Sequence, residues 1–222
     1  MSNDSEDGEL TSIEKPYILL VEGSDEKKFF HYFLKYLKTK EGSAWDNLDN
    51  LQVIDYGGSN FKNKLNYILT TMPGNECIQK AGIIHDADTD AGESFSMIKD
   101  VLSDSGFASP DGQFIFTTGI PKISIMIAPE NGSGSIELYF LESVKQDPAI
   151  PCVDKYFSCL DPIFKTGVLE RPINLHKARL HAFLSSRKKP KASFGGGCQE
   201  NYWTFSDPAF SRIKDFLQLL IN

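Results

Sequence analysis

The chain has 222 residues, 41% of them hydrophobic and 24% charged, with a formal net charge of −7. That is the composition of a globular protein with room for one generous domain, and it gives no support to nucleic-acid binding from global charge, because phosphate affinity comes from clustered cations. The longest apolar runs, residues 17–21 and 123–128, are far too short to cross a bilayer, so no membrane association is expected.

In chain order, residues 1–14 carry five acids and no Lys or Arg, the pattern of a disordered acidic tail. This start contains no apolar stretch of the kind a secretion signal needs. Residues 17–21 are a continuous apolar run, as in a strand buried on both faces. Ser24 is placed to cap a helix with Asp25 and Glu26 in its first turn, and Phe30, Phe33, Leu34 and Leu37 recur at helical spacing. Residues 51–55 form a second short strand ended by Gly57 and Gly58. Ser59 opens a second helix with Phe61, Leu65, Ile68 and Leu69 on one face.

Residues 81–85 are a third buried strand, running into Asp86-Ala87-Asp88-Thr89-Asp90. A third helix follows with Phe95, Ile98 and Leu102 inward, and Asp90 is its expected N-cap. Residues 114–116 and 123–128 read as further strands joined by a turn at Gly119 and Pro121. Strand–helix alternation with short loops gives an α/β fold: an open, mainly parallel sheet flanked by helices. Residues 136–144, 175–185 and 209–220 have helical spacing, so the chain divides into a core over 15–130 and a helical and loop extension over 131–222 packed on the same domain. Cys77, Cys152, Cys159 and Cys198 show no paired spacing and no His at zinc-binding distance, as expected of free thiols in a cytoplasmic protein.

Acidic residues directly after apolar strands are the chemically informative feature. In an open parallel sheet the loops at the carboxyl ends of the strands form the binding crevice. If the first and third strands are neighbours, Glu22 and the pair Asp86 and Asp88 converge there. Packed carboxylates repel one another, and a hard divalent cation removes that cost. His85, one residue before Asp86 along a strand, points to the other face and reads as a core or sheet-face histidine. Asp86-x-Asp88-x-Asp90 also looks like a calcium loop, but Ala91 stands where such loops need Gly and Met97 where they need an acid, which rejects that reading. Charge is divided along the chain: residues 171–222 hold 9 Lys/Arg against 3 Asp/Glu, and Arg187, Lys188, Lys189 and Lys191 precede the glycines 195–197. That segment is a candidate mobile lid contacting substrate phosphate.

These residues resemble a family. Val21-Glu22-Gly23 and Asp86-Ala87-Asp88, with Gly92 shortly after, look like the Toprim domain of primases, topoisomerases and related nucleases. Pro129-Glu130-Asn131 and Gly134-Ser135-Ile136-Glu137 are similar to a segment that one uncharacterised branch of Toprim-like proteins adds after its fourth strand, as is the stretch from Lys177-Ala178 to Trp203. The likeness spans roughly residues 16–220; Gly92 lies one residue later than in primases, so the loop after Asp88 differs. It implies a site in which Glu22, Asp86 and Asp88 are catalytic and, with Glu137, hold Mg²⁺ or Mn²⁺. Glu137 equally suits the first turn of a helix. The expected activity is metal-dependent, nuclease-like phosphotransfer on nucleic acid or nucleotides; the alternative is a non-catalytic module binding metal, nucleotide or a partner. A phosphohydrolase of the haloacid-dehalogenase type is a poorer match, because its Asp-x-Asp motif follows the first strand.

Overall fold

The structure, a computed structural model, describes residues 12–57 and 60–222. Strands β1 (Tyr17–Val21), β2 (Leu51–Asp55), β3 (Lys80–Asp86) and β4 (Lys122–Ala128) pair in parallel in the order β2-β1-β3-β4. Helices α1 (Ser24–Lys40), α2 (Phe61–Thr70) and α3 (Ala91–Asp104) make the connections. The expected α/β architecture is therefore the observed one, with β1 and β3 as the two central strands.

Both faces of the sheet are buried, and the two-residue repeat of a strand sorts its side chains between two cores. Leu19 and Val21 of β1 and Ile84 of β3 join one core; Ile18 and Leu20 of β1 and Ala81 and Ile83 of β3 join the other. The second core is closed by α2 and α3 through Leu65, Ile68, Ile98 and Leu102. The first is closed by α1 and by the C-terminal helices α4 (Glu137–Ser143), α5 (Ile150–Thr166), α6 (Leu175–Ser185), α7 (Phe194–Gln199) and α8 (Ser211–Ile221). Phe29 lies at its centre, with ring centroids 4.9 Å from Phe140 and 6.0 Å from Phe210. Residues from 137 onward thus supply much of one face of the core.

Several local expectations change. Residues 114–116 are not a strand: Phe114 has φ 62, and although its N–H reaches the Ile125 carbonyl at 3.1 Å, the segment runs beside β4 without joining the sheet. Ser24 is the first helical residue of α1 rather than its cap, and Gly23 holds the cap position with no side-chain bond. Asp90 does cap α3, accepting from the N–H groups of Gly92 and Glu93. Of the acidic tail, residues 1–11 lie outside the described residues, while Ile13 is buried, its N–H donating to the Pro73 carbonyl. Gly58 and Ser59 are also outside them, and α2 is described from Phe61.

The glycines 195–197 are not a mobile lid. They are buried in α7, capped by Ser193. A Cβ at Gly195 would stand 2.5 Å from Asp25 Oδ1 and 2.7 Å from the Asp25 carbonyl oxygen, and one at Gly197 would stand 2.7 Å from the Trp203 ring. Glycine is required there so that α7 can approach α1 and Trp203 closely.

Candidate functional site

Because β1 and β3 are neighbours, their carboxyl ends place Glu22 and Asp86 side by side. Glu22 Oε1 accepts from the Asp86 N–H at 2.5 Å. It also lies 2.8 Å from His85 Nδ1, which is itself 2.8 Å from the Tyr56 hydroxyl. Tyr56 donates to the Ile84 carbonyl at 3.0 Å, so its oxygen is left as an acceptor and the Nδ1 proton serves Glu22. The buried Nε2 of His85 has no partner among the described residues. His85 is buried on the face opposite Asp86, as its strand position requires, and it also orients the Glu22 carboxylate.

Asp86 Oδ1 accepts from the Ile136 N–H at 2.9 Å, which ties β3 to the start of α4. Asp88 is exposed, has φ 48 and forms a bridge with Gly134, whose N–H meets the Asp88 carbonyl at 2.9 Å. Glu137 sits in the first turn of α4 and is only 2% exposed; its Oε1 faces Lys177 Nζ of α6 at 3.5 Å, and its Oε2 has no hydrogen-bond partner. Of the two roles open to Glu137 in the sequence, the helix first turn is the observed one, and its charge also acts on Asp86. Beside these acids is a cleft of about 390 Å³ lined by Gly23, Asp25, Glu26, Glu137, Lys177, His181 and residues 192–194.

Electrostatics show a surplus of negative charge. Burial, then the charges of Glu22 and Glu137, push the Asp86 carboxyl well above the usual carboxylate range. Burial and Glu22 raise Asp88 as well. Burial also opposes ionisation of Glu22, yet its bond to His85, that group's charge and the Asp86 amide hold its carboxyl below the usual value. Lys177 is pushed up by Glu137, Glu26 and Asp86 against the effect of burial. Sequence reasoning missed Glu26: burial, then Glu22, Glu137 and Asp25, raise its carboxyl to about 7. Position gave no signal for it beyond an acid in a helix first turn, since only the fold brings α4 and α6 over that turn.

A pH prediction follows from Glu26. Its folded-state pKa of about 7 exceeds the unfolded value near 4.5, so the native state holds the extra proton between those values and stability falls as pH rises through that window. Glu26→Gln removes this slope, and denaturant titrations should show the variant more stable than the parent by on the order of 2 kcal/mol at pH 8 and similar to it near pH 4.5. Parallel pH profiles for the two proteins would refute this.

The four cations of the basic segment are not gathered at the carboxylates. Arg187 makes a two-pronged pair with Asp147 at 2.8 and 3.1 Å and stacks over Phe183. Lys189 and Lys191 both pair with Glu200, at 2.9 and 3.0 Å. Among the described residues no ion pair involves Lys188, and no hydrogen bond or ion pair joins any of the four to Glu22, Asp86, Asp88 or Glu137. The segment reaches the cleft only through its continuation, residues 192–194.

A family described as a protein of unknown function, DUF3226, matches residues 16–222. The chain belongs to the DUF3226 family. No curated protein and no solved structure is significantly similar to it. In this DUF3226 chain the match covers every described strand and helix, α4 to α8 included. No described helix is long and apolar enough to cross a membrane.

The donor set is carboxylate oxygen, which suits Mg²⁺ or Mn²⁺; Glu137 Oε2 is unpartnered, and the raised Asp86 and Glu26 show that ionising this cluster is costly, a cost a cation would relieve. Among the described residues, however, no three His, Cys, Asp or Glu side chains are gathered as a set that could hold a metal ion. The arrangement therefore fits an ion held by one or two carboxylates with water or phosphate oxygens completing its shell, as is usual for Mg²⁺. It does not fit a closed cage of protein ligands.

Proposed function

We propose that this DUF3226 protein is a Toprim-like, Mg²⁺- or Mn²⁺-dependent phosphotransfer enzyme of the nuclease type, acting on nucleic acid or nucleotides. The observation that carries the reading is the convergence of Glu22 and Asp86 at the carboxyl ends of adjacent central strands, with Glu137 buried beside Lys177 and short of a partner. Asp86, with Glu22 or Asp88 as a second carboxylate, would hold the ion, and Glu137 would complete the acidic wall. The bound metal would supply Lewis-acid polarisation of a phosphoryl oxygen and a more acidic water.

The chain's own groups have distinct tasks. His85 and Tyr56 fix the Glu22 carboxylate in one rotamer, which keeps it ionised and aimed at the Asp86 loop. Lys177 offsets part of the acidic field and stands at the cleft as a cation for an incoming phosphate. Glu26, titrating near neutrality, suits proton transfer at the cleft. Arg187, Lys188, Lys189 and Lys191 would guide a polyanion towards residues 192–194.

One observation favours a second reading, a non-catalytic binding module: no three potential ligand side chains are gathered for a metal among the described residues. An assay of single-stranded oligonucleotide cleavage beside hydrolysis of a generic phosphate monoester, each with and without Mg²⁺, separates the two. The enzyme reading expects metal-dependent oligonucleotide cleavage that EDTA abolishes. Oligonucleotide or metal binding without turnover would favour the module, and no binding of either would end both readings.

A further inference from the structure

A large apolar concavity lies away from the carboxylates. It is a groove of about 1170 Å³ between α5 and α6, floored by Val153, Phe157, Leu160, Ala178 and Ala182. Its rim is apolar too. Of the eight large hydrophobic side chains exposed in the described residues, Tyr156, Ile163, Val168, Leu169 and Ile173 fall on α5 and the turn that follows it. Val168 is 83% exposed and Ile173 is fully exposed, so the turn stands out from the surface as an apolar knob beside an apolar hole. α5 contributes only Val153 and Phe157 to the buried core, which leaves most of this 17-residue helix without cover.

Each feature bears on what covers the groove. Small-molecule sites enclose most of their ligand and range over roughly 300–1,000 Å³; this groove is larger, and side chains as exposed as Val168 and Ile173 could not enclose anything small. An exposed apolar patch of this kind marks a protein contact. A knob and a hole on one face are what a two-fold axis needs, since an isologous interface joins a surface to itself. Charge agrees: Glu170 on the groove wall and Lys165 in the last turn of α5 are both exposed and, among the described residues, in no ion pair, so each copy offers one anion and one cation to its mate. At 17 residues α5 is about 25 Å long, so the apolar face runs along a whole helix rather than a single turn.

We propose that this face is a self-complementary dimer interface, in which the 168–173 knob of one copy fills the α5–α6 groove of a second copy of this chain. Lys177 and His181 line both the groove and the acidic cleft. The second copy's knob would therefore stand next to the acidic cleft, separated from it by Lys177 and His181. The proposal does not depend on what that site binds.

Sedimentation velocity on the full chain over a wide concentration range tests this, with the exposed-site variants Val168→Asp and Ile173→Asp. A reversible dimer is expected, with its dissociation constant weakened on the order of 100-fold by either variant, since a charge is forced into an apolar interface centre. At concentrations where the parent is monomeric, melting temperatures should match the parent, because neither side chain supports the monomer core. Cys152 lines the groove and Cys159 does not, though both are exposed, so Cys152 alone should be slower to react with a thiol reagent in the dimer and regain its rate in the variants. A monomer at every concentration, a dimer that survives both substitutions, or equal protection of both thiols would overturn the proposal.

Discussion

Gly57→Ala should cost about 3 kcal/mol or more of folding stability, a very large loss for one added methyl group. A Cβ at Gly57 would sit 1.3 Å from the Glu22 carbonyl oxygen and 2.5 Å from its carbon, both main-chain atoms that no side-chain rotation can move aside. The strand ends on either side are fixed: Tyr56 N–H donates to the Val21 carbonyl at 2.8 Å, and Val21 is registered against Asp55. Relief must come from parting β1 and β2 at the point where the chain turns into the site. An added methyl in a well-packed core typically costs 1–3 kcal/mol, and here the obstacle is backbone. Urea or guanidinium titration of parent and variant measures the difference, and a change under 1 kcal/mol would show that the two strand ends part easily.

Millimolar Mg²⁺ or Mn²⁺ should raise the melting temperature of the parent and leave the Asp86→Asn/Asp88→Asn double variant nearly unmoved. Mass action stabilises only a state that binds, and at a hundredfold excess over the dissociation constant the gain is about 2.7 kcal/mol. Such a gain shifts the melting point of a domain this size by several degrees. Without metal, Asp86→Asn should be neutral or stabilising by about 1 kcal/mol. Burial and the neighbouring acids Glu22 and Glu137 already disfavour the charged carboxylate, while the amide oxygen of Asn can still accept from the Ile136 N–H. Equal metal responses in parent and double variant would remove the carboxylates as the cation site. A marked loss of stability in metal-free Asp86→Asn would show instead that the charge at Asp86 is compensated.

Much of the fold was legible because apolar runs and helical spacing report burial directly. The strands at 17–21, 51–55 and 123–128 and the helix at 175–185 emerge almost as their hydrophobic patterns place them. α5 has no counterpart among the helices that hydrophobic spacing marks, and it contains Pro151 and Pro162. In the fold the first falls in the opening turn, where its missing N–H costs nothing, and the second is tolerated inside a helix held by Val153 and Phe157. The glycines 195–197 were read as slack chain because a glycine's freedom and a glycine's smallness look the same in one sequence. Contact with Asp25 and Trp203 decides for smallness.

By itself the sequence determined the parallel α/β class, the two buried strands that end in acids, and the cap at Asp90, all set by local periodicity and hydrogen-bonding chemistry. Only the tertiary structure decided that β1 and β3 are neighbours, that Glu26, Glu137 and Lys177 share the cleft, and that His85 holds Glu22 while Arg187, Lys189 and Lys191 are bound to Asp147 and Glu200. The physical reason is range. Strand and helix signals are written within a few residues, whereas the partners and titration of Glu22 and Asp86 depend on segments 50 and 64 positions away.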